Sequence, residues 1–320
     1  MGSLCGRGVR RGVFAAGLAV GLAGWAVPAR AIDLFFDYST DTNNFFADPA
    51  RRALLDQAAA RFEGFTDQLA AITPNPGAGD TYTATFNNPS TGATDSRPNL
   101  AVPQNQVYIF VGARDLPGTV AGQGGFGGFN GLTGSAAFVD AVQNRGQGTT
   151  TGSTAADFGR YGGSIAFDTA GTTFHFGPTA AGLDPGETDF VTVATHELAH
   201  LLGFGTAPSW NNRVQSATAT FTGPASITQY QRTNPGATAV PLAGTADLGH
   251  WQNGLQSFVG PTQQEVVMDP TLLNGTRLEF TDLDYAGLAD VGWQIPEPTG
   301  LSLVGLAGLL LGSRRRRPAA

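Results

Sequence analysis

The sequence FVTVATHELAHLLGFG, residues 190–205, is the strongest structural signal in this chain. Its apolar side chains fall on nearly every face of a helical wheel, and a helix of that kind is buried. Thr188 or Asp189 can cap its first turn, and Gly203 and Gly205 are suited to end it. The stretch therefore predicts one helix in the core of the fold.

Three ionisable side chains interrupt this apolar helix, in the motif His196-Glu197-x-x-His200. Positions four residues apart lie on one face, so both imidazoles can bind one metal ion. Imidazole nitrogen is a preferred zinc ligand, and Glu197 projects beside the metal, where it can take a proton from zinc-bound water. The alternative is a pair of histidines that hydrogen-bond within the core, but ionisable groups in apolar surroundings are costly without a metal or partner. The motif predicts a catalytic zinc helix.

A catalytic zinc site usually has three protein ligands and one open position, so a third ligand must lie elsewhere in the chain. Of the two remaining histidines, His250 in Gly249-His250-Trp251 is the predicted ligand. His175 falls in a predicted strand, where a histidine satisfied by hydrogen bonds is more common. Three carboxylates remain as alternatives: Asp247, which can instead orient His250, and Glu265 and Glu279, which lie in no second helix of the thermolysin type.

From about residue 187 to residue 295 the chain resembles the leishmanolysin-like metzincins. The shared motifs are His196-Glu197-x-x-His200-x-x-Gly203-Phe204, a late His250-Trp251, Met268-x-Pro270, and a closing helix pattern at 280–293. The resemblance implies that an insertion separates Gly203 from the third ligand, whereas compact metzincins place that ligand where Thr206, a poor zinc ligand, stands here. It also implies that Met268 forms an apolar turn beneath the zinc.

One departure from that family concerns cysteine. Those enzymes are commonly rich in disulfides and held latent by a propeptide cysteine, whereas the single cysteine of this chain is Cys5. Cysteine ligands, cysteine nucleophiles and a disulfide framework are therefore excluded from the central part of the chain. Any latency must work in a different way.

Apolar patterns predict further elements upstream of the zinc helix. They are a strand at Ile32, Leu34 and Phe36, an amphipathic helix over 46–72 ended by Pro74 and Pro76, a buried strand at 107–111, a surface loop over 122–134, and short strands at 164–167 and 172–176. Together with the resemblance, these patterns predict an α+β, metzincin-like fold. A twisted mixed sheet and two long helices would form an N-terminal subdomain, 32–205, and a smaller C-terminal subdomain, 206–295, would supply His250 and Met268.

The two ends of the chain are predicted to be sorting signals. Residues 1–31 show a basic start, an apolar run and Ala29-Arg30-Ala31, which is typical of a secretory signal peptide; a short N-terminal helix of the fold is the alternative. Residues 296–320 resemble a PEP-CTERM tail, with Pro296-Glu297-Pro298, a short apolar span and four final arginines. That resemblance implies a Gram-negative envelope or matrix location, transient membrane contact through this segment, and signal peptidase and an exosortase as partners. A plain C-terminal anchor is the alternative.

Composition limits the other partners. All 18 basic residues are arginine, 25 residues are acidic, and the net charge of −7 disfavours nucleic acid. Asp37, Asp41 and Asp168 are candidate Ca²⁺ ligands, but no twelve-residue calcium loop is present, so solvated loop aspartates are expected. Tyr285 is expected in the core rather than at the reacting centre.

These observations predict an exported zinc endopeptidase that acts on protein or peptide substrates. Glu197 would be the base, and His196, His200 and His250 would be the zinc ligands. The alternative from another class is a surface or matrix protein stabilised by zinc. The presence of Glu197 argues against it, because a structural site has no use for a base and prefers four protein ligands.

Overall fold

The computed structural model describes residues 31–296. The predicted signal peptide and sorting tail lie outside the described residues, except for Ala31 and Pro296. Within the described part, no helix combines the length and apolarity that crossing a membrane would require.

Six α-helices and fifteen strands are present between residues 31 and 296. The helices are α1 (Pro49–Ala59), α2 (Ala136–Asn144), α3 (Phe190–Leu201), α4 (Pro208–Asn211), α5 (Pro224–Tyr230) and α6 (Asp282–Val291). The strands are β1 (Asp33–Asp37), β2 (Thr81–Asn87), β3 (Thr94–Pro98), β4 (Gln106–Arg114), β5 (Gly122–Phe126), β6 (Gly128–Thr133), β7 (Gly162–Asp168), β8 (Phe174–His175), β9 (Thr188–Asp189), β10 (Val214–Gln215), β11 (Thr220–Phe221), β12 (Val240–Gly244), β13 (Asp247–Trp251), β14 (Gln256–Val259) and β15 (Thr262–Glu265). The mixed α+β class is as predicted.

The central sheet has the strand order β1-β4-β7-β5. Strands β1, β4 and β7 are parallel, and β5 pairs antiparallel with β7 at the edge. The run of buried residues in β4 and β7 reflects a sheet covered on both faces. Helices α1 and α3 pack together on one face, with α3 against β5 and β7. The other face is covered by the three-stranded sheet β3-β2-β6 and by α2, through a second apolar cluster that includes Phe86, Phe110 and Phe138.

The later part of the chain adds a second four-stranded sheet, β10-β11-β12-β13, and the hairpin β14-β15. Its aromatic side chains Trp210, Phe221 and Trp251 are fully buried and belong to the same apolar cluster as helix α3. Helix α6 begins with a capping box in which Thr281 and Asp284 exchange hydrogen bonds. Because one core joins both parts, the late strands are held against the buried helix.

The predicted long helix over 46–72 is wrong in its second half. A short 3₁₀ turn at Phe45–Ala47 comes first, and α1 then runs for 11 residues from the cap at Asp48. Beyond Ala59 the chain becomes irregular and pairs its backbone elsewhere, with Ile72 bridged to Val102. Phe62, Phe65 and Leu69 are buried as expected, yet from non-helical backbone. Tertiary backbone pairing therefore overrides the helical spacing of these apolar residues.

The predicted surface loop over 122–134 is also wrong, because it forms β5 and β6. Glycine is depleted from strands in general, and it occurs in a strand interior where another backbone approaches closely. That is the situation here. A Cβ added to Gly124 would lie 2.2 Å from the backbone oxygen of Glu197 on helix α3.

Candidate metal centre

Helix α3 is fixed at both ends. At its start the Asp189 carboxylate accepts from the backbone N–H of Thr192 at 2.8 Å and also receives the guanidinium of Arg277. At its end Gly203 has φ +100°, and a Cβ there would meet the Phe158 ring at 2.8 Å. Every residue of α3 is buried. The predicted cap at Asp189 and the predicted end at Gly203 are thus confirmed.

The three predicted ligands converge on one point. The Nε2 atoms of His196 and His200 are 3.0 Å apart, and that of His250 lies 3.2 Å and 3.0 Å from them, respectively. Nitrogen atoms bound at about 2.0–2.1 Å to one tetrahedral ion lie about 3.3 Å apart. The donor set therefore fits a single metal ion, and among residues 31–296 these three side chains form the one group with this property.

Each imidazole is oriented by a hydrogen bond from its outer nitrogen. The Nδ1 of His196 donates to the Val267 carbonyl at 2.8 Å, and that of His200 donates to the Phe204 carbonyl at 2.9 Å. The Nδ1 of His250 lies 2.9 Å from both carboxylate oxygens of Asp247. With the proton on Nδ1, the lone pair of each Nε2 is free for a metal. Asp247 thus orients His250. Of the two roles that the sequence left open for Asp247, metal ligand or orienting residue, the structure agrees with the second.

Burial keeps the two helical rings neutral. Desolvation, together with the nearby His250 ring, lowers the pKa of His200 to about 4, although the hydrogen bond to the Phe204 carbonyl acts in the opposite direction. Desolvation also holds the pKa of His196 well below its usual value, with the two neighbouring imidazoles acting in the same direction. Neutral imidazole is the form that binds metal, so both rings are in the ligating state at neutral pH.

Contacts between distant segments position His250 next to helix α3. Gly205 has φ +71°, and a Cβ there would lie 2.2 Å from the carbonyl oxygen of Gly249. On the other side of the strand, Trp210 Nε1 donates to the Leu248 carbonyl at 3.0 Å. The backbone N–H of Trp251 donates to the Met268 carbonyl, also at 3.0 Å. These contacts fix the backbone before and after His250.

Glu197 lies beside the cluster, between α3 and strand β5. Burial raises the pKa of its carboxyl to about 8, and a hydrogen bond from the backbone N–H of Gly124 opposes that shift. A Cβ added to Gly122 would meet Glu197 Cγ at 2.7 Å. Because Gly122 in β5 has no side chain, the Glu197 side chain can occupy this space.

The segment around Met268 is held by a buried carboxyl. Met268 is fully buried, and the backbone N–H groups of Val267 and Met268 donate to Asp284 at 3.0 Å and 3.3 Å. The Thr281 hydroxyl donates to the same carboxyl at 2.8 Å. Asp284 therefore fixes the segment whose Val267 carbonyl orients His196.

The cluster opens into a cleft of about 930 Å³. Apart from Glu197 and the three histidines, the side chains that line it are uncharged, and many are Thr or Gly. Val120 and Leu273, two of the most exposed large apolar side chains, lie at this cleft with 43% and 51% of their surface accessible. Its size lies within the range of about 300–1,000 Å³ that is usual for ligand sites.

Other sequence candidates do not join the cluster. His175 contacts the Thr179 carbonyl and Glu187. Glu279 pairs with Arg61, and Glu265 interacts with Asp269. Thr206 donates its hydroxyl to the carbonyl of His200 and lines the cleft.

The remaining candidate residues have structural roles in the fold. Tyr285 packs in the core and donates to the Arg61 carbonyl at 3.1 Å, as expected. Asp41 accepts from the N–H groups of Phe45 and Phe46, and Asp37 receives the hydroxyl of Tyr108. Asp168 is buried, and its carboxyl accepts the backbone N–H groups of Leu116 after β4 and of Gly171 in its own loop, so the expectation of a solvated residue is wrong there.

Comparison with protein-family models, with curated proteins and with solved structures gave no match to this chain.

Sequence reasoning missed two supports of the site, which are Gly124 against Glu197 and Gly205 against Gly249. Asp284 belongs to the closing helix pattern that the sequence matched, but its contact with Val267 and Met268 was not predicted. The glycine-rich run over 122–128 is compatible with a strand that another backbone approaches closely, but it fits a surface loop as well. Nothing in the local sequence marks the partner of Asp284.

Proposed function

We propose that this chain is a zinc-dependent endopeptidase of the metzincin type. The observation that carries the proposal is the convergence of three imidazole Nε2 atoms within 3.0–3.2 Å of one another in an open cleft that Glu197 also lines. Three imidazoles with one open position are the usual ligand set of a catalytic zinc site. Val267, Phe204 and Asp247 would keep the rings in the ligating tautomer.

Glu197 would be the general base. Zinc bound to the three imidazoles would supply the Lewis acidity that activates water and polarises a carbonyl. The Glu197 carboxylate would take the proton of the attacking water and then deliver it to the leaving amine nitrogen. The Gly124 N–H that donates to this carboxylate would keep it oriented between the two transfers.

The substrate would lie extended along the free edge of strand β5. Among the described residues, β5 pairs with β7 alone, so its other edge is available to an added strand. The backbone of Ala121 is bonded to Asp168 of β7. Since direction alternates along a strand, Gly122 and Gly124 direct their backbone groups towards the free edge. The Gly124 N–H there donates to Glu197, so a substrate strand would pair with the other backbone groups of these two glycines. That edge adjoins the metal cluster through Gly122 and Gly124.

A structural zinc site is less well supported than a catalytic one. Structural sites usually have four protein ligands, and within residues 31–296 the cluster has three. All three histidines line the cleft, and besides them and Glu197 no His, Cys, Asp or Glu is among its lining residues.

Export and surface sorting are also part of the proposal. They are supported by the sequence patterns of residues 1–31 and 296–320. A secreted or envelope location suits a protease that acts on polypeptides outside the cytoplasm.

The test is cleavage of an unfolded protein, such as reduced casein, by the full chain before and after metal removal. Treatment with a strong chelator should abolish cleavage, and stoichiometric zinc should restore it. Magnesium serves as the matched control, because it prefers oxygen ligands and should restore nothing. Cleavage that survives complete zinc removal would refute the proposal.

A further inference from the structure

A second cavity lies on the opposite face of the central sheet, in the angle between that sheet and the sheet β3-β2-β6. Its volume is about 280 Å³. The chain crosses between the two sheets at Gly127, since β5 pairs with β7 and β6 pairs with β2. The volume falls just short of the range of about 300–1,000 Å³ that is usual for small-molecule sites. The cavity is therefore suited to one side chain rather than to a whole cofactor.

Strand β5 joins this cavity to the metal cleft. Gln123 and Gly124 line both of them. Gly122 and Gly124 face helix α3, as their close approach to Glu197 and Val193 shows. Gln123 and Gly125 alternate with them and face the second cavity. A chain added to the free edge of β5 would thus lead from the metal cluster to the mouth of this cavity.

Arg114 supplies the only charged side chain among the residues that line the second cavity. Its guanidinium donates to the Pro89 carbonyl at 3.0 Å and to the Gln123 side chain. Both partners are neutral, and in the described part of the chain no carboxylate forms a salt bridge with Arg114. Arg97 and Arg232, by contrast, each pair with an aspartate. The cavity therefore carries a positive charge without a counter-ion.

We propose that the cavity at Arg114 is a remote substrate subsite that selects an acidic side chain, Glu or Asp, some residues away from the bond that is cut. Guanidinium is well suited to carboxylate because its N–H groups match the two oxygens. The hydroxyls of Thr85 and Ser164, which also line the cavity, can donate to the same carboxylate. The peptide bond itself would lie in the neutral cleft, so recognition of charge and cleavage occur on opposite sides of β5. This inference rests on the proposed peptidase function for its biological meaning.

The test measures peptide binding rather than cleavage, so that it stands apart from catalysis. The full chain would carry Glu197→Gln and be loaded with zinc. The probes are fluorescein-labelled peptides of Ala, Thr and Leu in which a single Glu is moved along the chain, with a matched Gln series. Fluorescence anisotropy should show one Glu position that binds about tenfold more tightly than its Gln counterpart, the low end for a hydrogen bond to a charged group. High salt should reduce this ratio.

Variants assign the preference to the cavity. Arg114→Gln should bring the Glu-to-Gln ratio to about one, and Arg114→Lys should restore part of it, because the charge is kept and the paired geometry is lost. Arg232→Gln, outside both cavities, should leave the ratio unchanged. Equal affinities for Glu and Gln peptides at every position, or a ratio that survives Arg114→Gln, would overturn the inference. Absence of measurable binding by every peptide would overturn it as well, whereas binding without cleavage by the unmodified chain would count against the peptidase alone.

Discussion

Helix α3 and strand β13 supply histidines to the same cluster but hold them in different ways. His196 and His200 are at most 8% exposed, and their outer nitrogens donate to backbone carbonyls. The side chain of His250 is 23% exposed and depends on the carboxylate of Asp247. Two histidines of the cluster are therefore oriented by backbone carbonyls in the core, and the third is oriented by one side chain near the surface.

This difference shows which histidine positions are determined by the local sequence and which by long-range contacts. A helix brings positions four apart onto one face wherever it forms, so the His196 and His200 pair follows from the motif itself. His250 reaches them through contacts between distant segments, such as the packing of Gly205 against Gly249. The position of His250 should therefore be more sensitive to substitutions in the surrounding segments. The positions of His196 and His200 should be more sensitive to substitutions within helix α3.

Removal of a ligand should have the largest effect. His200→Ala and His250→Ala should each weaken zinc binding by well over a hundredfold, since even the loss of an outer hydrogen-bond partner costs about 10–100-fold. Metal content after dialysis against a zinc buffer would measure this. His175→Ala is the matched control and should keep its zinc, because that ring contacts Thr179 and Glu187 instead. Loss of zinc from the control alone would move the third ligand to His175.

Gly205→Ala should break the contact between the two regions without touching a ligand. The added Cβ would lie 2.2 Å from the Gly249 oxygen on backbone with φ +71°, so overpacking and left-handed strain together should cost about 2–4 kcal/mol. Thermal unfolding would measure the loss. Gly249→Ala is the reciprocal control, with its nearest neighbour at 3.4 Å, and should cost less than about 1 kcal/mol. Equal losses in both variants would mean that the close approach at Gly205 does not support the site.

Asp247→Asn should produce a smaller effect that is confined to the third ligand. The amide oxygen can still accept from His250 Nδ1, but the negative charge that strengthens this hydrogen bond is lost. Zinc affinity should fall by about 10–100-fold with little change in unfolding temperature. Competition with a fluorescent zinc chelator would measure it, with the exposed Asp115→Asn as control. An unchanged affinity would show that Asp247 does not orient the ring.

Asp284 should give the smallest effect, visible as a dependence of stability on pH. Burial raises the pKa of its carboxyl to about 6, while N–H groups of Thr281, Val267 and Met268 act in the opposite direction. Because the folded pKa exceeds the unfolded value of 3.8, its contribution is complete below about pH 4 and is lost as the pH rises through about 6.

The comparison for Asp284 uses metal-free protein, so that release of zinc at low pH does not contribute. Asp284→Asn imitates the neutral carboxyl and cannot ionise. The free energy of unfolding of the unmodified chain, relative to this variant, should therefore decrease between about pH 4 and pH 7. Denaturant unfolding at several pH values would measure it. A constant difference would show that Asp284 keeps an ordinary pKa in the folded chain.

The sequence predicted best what depends on neighbours along the chain. The buried helix, its cap at Asp189 and its two ligands follow from the spacing and capping chemistry of residues 188–205. The buried strand β4 follows from its continuous apolar run. His250 was selected by ligand type and by the resemblance to a family, rather than by any local geometry.

What depends on distant segments could not be predicted in the same way. The helical spacing over 46–72 does not reveal that the backbone near Ile72 pairs with Val102. Glycine-rich residues 122–128 suggest a loop until helix α3 is known to press against Gly124. Likewise, the burial of Asp284 under Val267 and Met268 needs the tertiary fold.

His196, His200 and His250 are proposed to hold zinc while Glu197 performs proton transfer. The most direct measurement compares zinc content and casein cleavage of the full chain with those of Glu197→Gln. Stoichiometric zinc is expected in both proteins, with cleavage by the parent alone and a loss of at least about a hundredfold in the variant. Undiminished cleavage by Glu197→Gln, or an active parent without zinc, would contradict it.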